Sequence, residues 1–259
     1  MSLPPPVSVF ILARNEELKI AAALESVSWA GEIVVIDSNS TDRTVEIARN
    51  YAATVVQVPF SRFGELRQAG ITHTSMPWIF SLDSDERCTP GARDEILRII
   101  ADPGAADAYL VPRHNTFLGK EIHHSGWFPD YRQPQLFRRG RMDYAVGDHV
   151  HEGYVLKGSL GRMKNPIRQI PYRNISEAIQ KMDRYTTLNV AKSGSRNRGG
   201  LFRGLFRAKW AFFKAYVLQL GFLDGAPGFV IALLRFENSF YKHMKAAESR
   251  ARPGDVTEL

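Results

Sequence analysis

The sequence predicts an α/β protein: a mostly parallel sheet with helices on both faces, followed by a C-terminal helical segment that is basic and amphipathic. Three observations carry this expectation. Short apolar runs alternate with helix-patterned stretches over the first hundred residues, and buried parallel strands read as such runs. Polar clusters follow the first, second and fourth runs, at the strand ends where open parallel sheets bind ligands. Between Arg184 and Leu223 there are eight Lys or Arg residues and no Asp or Glu, which sets that stretch apart.

The elements follow in order. V-S-V-F-I-L-A (7 to 13) comes after a proline stop and reads as the first strand. N-E-E-L-K-I-A-A-A-L-E-S-V (15 to 27) has helical spacing at Leu18, Ala22 and Leu24, with Asn15 placed to cap it. E-I-V-V-I-D (32 to 37) is the second strand. S-T-D-R-T-V-E-I-A-R-N-Y (40 to 51) opens with Ser, Thr and Asp, all good N-cap residues, and continues as a helix. T-V-V-Q-V (54 to 58) is a third strand, Arg62 to Thr72 a helix, and W-I-F-S-L (78 to 82) a fourth strand.

Composition narrows the field. With 259 residues, 44% of them hydrophobic, the chain can bury a substantial core. Its one cysteine, Cys88, rules out an intramolecular disulfide framework and fits a reducing cytosol, where it reads as a small packed side chain. M-S-L-P-P-P lacks the basic start and apolar core of a signal peptide. No run of about 18 uncharged apolar residues suggests a membrane-spanning helix.

The acidic cluster in W-I-F-S-L-D-S-D-E (78 to 86) sets the chemical question. Like charges that close repel, so Asp83, Asp85 and Glu86 cost stability unless a cation sits among them. Two further clusters, Ala13-Arg14-Asn15-Glu16 and Asp37-Ser38, fall at the ends of neighbouring strands. Taken singly, Asn15, Ser40 or Thr41 could be helix caps and Arg14 a solvated loop cation. No G-x-G-x-x-G and no G-x-x-x-x-G-K-[ST] occurs, which disfavours a dinucleotide dehydrogenase and a P-loop enzyme. An aspartyl-phosphatase D-x-D would follow the first strand, not the fourth.

A-R-N-E, V-V-I-D-S-N-S-T-D and L-D-S-D-E, in that order, resemble the family 2 glycosyltransferases, inverting enzymes of GT-A fold that use nucleotide-diphosphate sugars. Further on, G-W-F-P-D-Y-R-Q-P-Q-L-F-R-R-G, V-H-E and G-F-L-D-G-A-P-G-F resemble the branch containing lipopolysaccharide-core β-1,4-glucosyltransferases. The resemblance implies that Ala13, Arg14, Asn15, Glu16, Asp37, Ser38, Arg67, Asp83, Ser84 and Asp85 bind the nucleotide sugar. Asp37 would accept from the uracil imide N–H, and Asp83 and Asp85 would hold Mg²⁺ or Mn²⁺ against the diphosphate. Gln68 stands where the family often has Asn, which puts that side-chain contact in doubt. Along the chain, 1–115 would be the nucleotide-sugar half, 116–175 the acceptor and catalytic half, and 176–259 a helical region for membrane or oligomer contact.

Direct displacement at an anomeric carbon needs a general base. Glu152 in V-H-E, which matches the branch motif, is the first candidate, with Asp148 and Asp130 behind it, and His151 or His149 could complete the metal shell; Asp130 reads equally as an N-cap or turn acid after Pro129. Trp127 and Arg138 are candidates for the acceptor or diphosphate, although Arg138 and Arg139 could equally line a solvated edge. In L-F-R-G-L-F-R-A-K-W-A-F-F-K-A-Y-V-L-Q-L (201 to 220) an apolar stripe repeats at helical spacing, with Arg203, Arg207 and Lys214 mostly outside it. Arg203, Arg207, Trp210 and Lys214 are thus expected at an anionic membrane surface, the alternative being a packed helix or a homo-oligomer contact. No nucleic-acid motif accompanies the charge.

The expectation is a cytoplasmic, metal-dependent enzyme, peripheral on the inner face of the bacterial cell membrane, that moves one sugar; the resemblance implies UDP-glucose as donor and an inner-core heptose of a lipid-linked oligosaccharide as acceptor. The lack of Q-x-x-R-W, common in processive synthases, favours single transfer. Transfer to a polyprenyl phosphate or a protein, and a non-catalytic nucleotide-sugar-binding scaffold, stay open; the intact acids Asp37, Asp83, Asp85 and Glu152 argue against the scaffold.

Overall fold

The computed structural model describes residues 4–145, 153–193 and 200–251. The chain forms two compact units: residues up to Arg113 with Asp130–Gln169, and His114–Pro129 with the chain from Ile170 onward. These are not the three consecutive blocks expected. Residues 116–129 join the C-terminal helices, while 130–169 complete the sheet unit.

The sheet unit is built from β1 (Val7–Ala13), α1 (Ile20–Ser26), β2 (Glu32–Asp37), α2 (Thr44–Asn50), β3 (Thr54–Gln57), α3 (Phe63–His73), β4 (Trp78–Asp83), β5 (Glu86–Arg87), α4 (Pro90–Ala101) and β6 (Ala108–Leu110). After β7 (Arg113–Phe117) and β8 (Lys120–Ile122) come β9 (Pro134–Arg138), β10 (Met142–Tyr144), β11 (Tyr154–Leu156), β12 (Leu160–Arg162) and β13 (Ile167–Gln169). One sheet runs β12-β6-β9-β4-β1-β2-β3. Within it β1 to β4 are parallel, β9 is antiparallel between β4 and β6, and β12 is parallel to β6.

Both faces of the sheet are buried, which is why its central strands are continuously apolar. On one face Val7, Val9 and Ile11 pack with Ile20 and Leu24 of α1 and with Ala92 and Ile96 of α4. On the other, Phe10 and Leu12 pack with Leu66 and Ile71 of α3 and with Met142 and Tyr144. Gly70 lets α3 settle onto β1: a Cβ there would lie 2.5 Å from the Phe10 ring. The chain steps from β1 outward to β3, then returns to β4 on the other side of β1. That reversal is a topological switch point, at whose carboxyl end open parallel sheets place their ligand crevice.

Two helix starts differ from the sequence expectation. Asn15 has φ 54° and α1 begins only at Ile20, so Asn15 is not a cap. The S-T-D stretch likewise precedes α2, which begins at Thr44.

In the second unit, Asn115–Phe117 and Lys120–Ile122 form a hairpin, joined by α5 (Ile175–Ser193), α6 (Leu201–Phe213) and α7 (Ala226–Ala251). Phe117, Ile122, Ala178 and Ile231 form its core. The expected helix over 201–220 ends as α6 at Phe213, continues as a π turn over Lys214–Leu218, and is followed by a 3-10 turn over Gly221–Asp224.

Candidate nucleotide-sugar site

The end of β1 is flanked by carboxylates from both neighbours. In register, Ala13 faces Asp37 and Leu12 faces Asp83. With strands about 4.8 Å apart, the two acids stand roughly 10 Å apart across β1. Asp37 is fully buried and accepts from the Ser40 amide at 3.0 Å and from its hydroxyl. Beside it, the buried hydroxyl of Ser38 has no partner among the described residues, an unmet polar atom at the strand end.

The loops after β1 and β2 are laced together. Asn15 donates its amide to Ser40 Oγ at 2.9 Å, and its side-chain oxygen accepts the Thr41 amide at 2.8 Å. The Glu16 amide donates to Thr44 Oγ1 and the Glu17 amide to Asp42. A-R-N-E and S-N-S-T-D therefore build one rim. Arg14 lies on that rim over the Phe60 ring, 5.8 Å from its centroid.

On the other side, Arg67 of α3 grips Asp83 with Nη2 at 2.9 and 3.1 Å and reaches Ser81 with Nη1. Burial works against the Asp83 charge, but the charge and hydrogen bonds of Arg67, with Arg113 and Arg132 behind it, hold its carboxyl below the usual range. Glu86 is fully buried. One oxygen accepts the Asp83 amide at 3.0 Å and Gln135 at 2.9 Å, and the other accepts Arg113 Nε at 2.5 Å. Burial disfavours the charge on Arg113, yet Glu86 more than offsets this and raises its pKa. Glu86 thus fixes the backbone from which Asp83 projects.

Asp85 is held differently. Gln169 donates to both its oxygens at 3.2 and 3.4 Å, accepts from Arg132 at 3.3 Å, and Arg132 pairs with Asp130 at 2.7 Å. The antiparallel pairing of Gln169 with Glu86 brings that amide to the turn. Arg87 frames the same turn by donating to the carbonyls of Ser84, Glu86 and Lys19. Ser84 itself is buried. Asp130 is no helix cap: it forms an isolated bridge with Arg113. Cys88 is buried, and burial pushes its thiol up to about 12, so it stays protonated and inert.

Other expected residues are placed elsewhere. Arg138 pairs with Trp78 at the amino end of β4 and stacks over its ring, 4.4 Å from the centroid. It is therefore not brought to the carboxyl-end crevice. Arg139 donates to the carbonyls of Met76 and Ile71 and to Thr74. Gln68 clamps Asp143 and the Tyr144 amide rather than facing a ligand. Trp127 belongs to the second unit, near Phe117 and Tyr172. There Asp224 of G-F-L-D-G accepts from the amides of His123 and His124 and from Ser125 Oγ, a structural knot. Arg203, Arg207, Trp210 and Lys214 are all exposed along α6 and its π turn. Asp148, His149, His151 and Glu152 lie outside the described residues.

The acids suit a hard divalent cation. No group of three or more His, Cys, Asp or Glu gathers among the described residues. An ion such as Mg²⁺ nevertheless needs only one or two carboxylates, the rest of its shell being phosphate oxygens and water. Asp83 is matched by the Arg67 guanidinium and Asp85 accepts from the Gln169 amide, and both are candidate ligands.

The family model for glycosyl transferase family 2 matches residues 8–156. The chain is 27% identical to the lipopolysaccharide core biosynthesis glycosyltransferase LpsC of Rhizobium meliloti, over 92% of this chain and 93% of that one. It is 25% identical to an uncharacterised glycosyltransferase of Rickettsia conorii, over 98% and 94% of the two chains. Among solved structures it resembles glucosyl-3-phosphoglycerate synthase of Mycobacterium tuberculosis, crystallised with Mn²⁺, UDP and glucosyl-3-phosphoglycerate, at 26% identity and a TM-score of 0.35. That likeness spans 42% of this chain and less than half of the other, 44%. The matched stretch holds the parallel strands, the laced rim and the D-S-D turn of a GT-A sheet, and the chain belongs to glycosyl transferase family 2.

Proposed function

We propose that the chain transfers a single sugar, glucose from UDP-glucose, with inversion at the anomeric carbon, to a lipid-linked saccharide of lipopolysaccharide-core type at the inner face of the cell membrane. The observation that carries this reading is the opposed placement of Asp37 and the D-S-D turn across the end of β1. That spacing suits a nucleotide whose base and diphosphate are held at separate points. Family membership and the end-to-end similarity to LpsC support the acceptor class.

In this reading Asp37 accepts the imide N–H of the base, and the Ser38 hydroxyl gains the partner it lacks. Arg67 keeps Asp83 ionised, and Gln169 aims Asp85 at the diphosphate. A divalent cation held by Asp85 and Asp83 would neutralise charge on the departing nucleotide diphosphate. Glu152 takes the proton from the acceptor hydroxyl.

The test is a donor screen reading UDP or GDP release against a panel of truncated core oligosaccharides. UDP release should require both UDP-glucose and a core acceptor; release from GDP-sugars alone would overturn the donor. Asp85→Ala should abolish turnover with an unchanged circular-dichroism spectrum, and full activity in EDTA would refute the metal role. Glu152→Gln should keep donor affinity by calorimetry while transfer falls about 10²- to 10⁴-fold. If Asp130→Asn does this instead, Asp130 is the base.

A further inference from the structure

Helix α6 packs through its smallest residues. Gly204 and Ala208 are the buried positions on it, and a Cβ at Gly204 would come within 3.0 Å of His243 on α7. At 100° per residue the opposite side of the helix carries Phe202, Phe206, Trp210 and Phe213. These are 87%, 75%, 54% and 43% exposed. The apolar stripe legible in the sequence is thus the side turned to solvent. It continues through exposed Leu218 in the π turn and Phe222 and Leu223 in the 3-10 turn. An open apolar cleft of about 340 Å³, lined by Lys209, Phe212, Leu233 and Phe236, lies between α6 and α7.

Apolar surface on this scale marks an interaction site, and the charges around it choose the partner. Arg203 and Arg207 border the aromatic side on one flank and Lys209 on the other, with Lys214 following in the π turn. From Leu201 to Leu223 there is no Asp or Glu. A second copy packed about a twofold axis would set these cations against their own images with no carboxylate of the segment between them. No described helix is long and apolar enough to cross a membrane. Trp and Phe beside Arg and Lys suit a helix lying in the plane of an anionic bilayer surface.

We propose that the outward side of α6, with the turns that follow it to Leu223, docks on an anionic lipid bilayer. Phe202, Phe206 and Trp210 enter the headgroup and acyl boundary, and Arg203, Arg207 and Lys214 meet lipid phosphates. The cleft beside Lys209 accommodates part of an acyl chain. This docking does not depend on which sugar or acceptor the enzyme uses.

The test uses the full chain with vesicles of phosphatidylcholine alone or mixed with phosphatidylglycerol. Cosedimentation should require phosphatidylglycerol and weaken steeply with salt. Brominated lipid should quench fluorescence in the wild type, and Trp210→Phe should remove that quenching while cosedimentation persists. Phe202→Ser with Phe206→Ser, and separately Arg203→Glu with Arg207→Glu, should each lower partitioning at least tenfold at unchanged circular dichroism. Equal partitioning of the wild type and both double variants would overturn the proposal. So would a soluble dimer that fails to bind vesicles and is split by Phe206→Ser, since a second copy would then own the surface.

Discussion

At the ends of β1 and β4, Arg67 lies on Asp83 and Arg113 on Glu86. Along α6, Arg203, Arg207, Lys209 and Lys214 have no ion-pair partner among the described residues, and large aromatic side chains stand exposed between them. The first region spends its charges inside the molecule to hold a few atoms still. The second leaves them to the surroundings. Buried pairs are matched one to one because an unmatched buried charge is costly, whereas exposed cations at a helix surface cost little and keep their attraction for an outside partner.

If that contrast is real, breaking a pair in the crevice must cost far more folding energy than altering α6. Glu86→Ala strands the Arg113 guanidinium, only 2% exposed, and should destabilise the protein by about 3–5 kcal/mol, read from the denaturant midpoint. A loss below about 1 kcal/mol would mean that water or another carboxylate relieves Arg113. Acid should act next most strongly. Because the folded carboxyl of Asp83 titrates below its ordinary value, its stabilising contribution is complete above about pH 4 and fades as pH falls further. Thermal scans should show this acid limb, and Asp83→Asn should flatten it. The smallest effect is expected outside the crevice: Phe206→Ser should shift stability by no more than about 0.5 kcal/mol, while weakening vesicle binding. A larger loss would show that Phe206 packs against protein.

The strands were the most legible part of the chain. β1 and β2 have the bounds their apolar runs suggest, and β3 and β4 differ by a residue. A strand buried on both faces announces itself locally. The loops do not. Asn15, Ser40 and Thr41 have the chemistry of helix caps, yet the bonds that join Asn15 to the other two span 25 and 26 positions, and a local reading assigns such residues to the nearest helix. The partners of Glu86 are hidden for the same reason: Arg113 and Gln135 reach it from 27 and 49 positions along the chain. Gln169, which aligns Asp85, is 84 positions away and carries no local signal. On α6 the stripe was visible but not its direction. Periodicity reports that a helix has two sides, whereas the tight approach at Gly204 decides which one faces α7.

The laced rim bears on how a donor is captured. Asn15 holds a left-handed backbone, and hydrogen bonds join the segment 15–17 to 40–44. The conformational entropy of those residues is lost when the chain folds rather than when a nucleotide arrives. This half of the crevice is preorganised, so recognition of the base should proceed without an ordering step in the rim. Loosening it through Asn15→Ala should appear in calorimetry as a less favourable binding entropy, with the enthalpy of the remaining contacts largely kept.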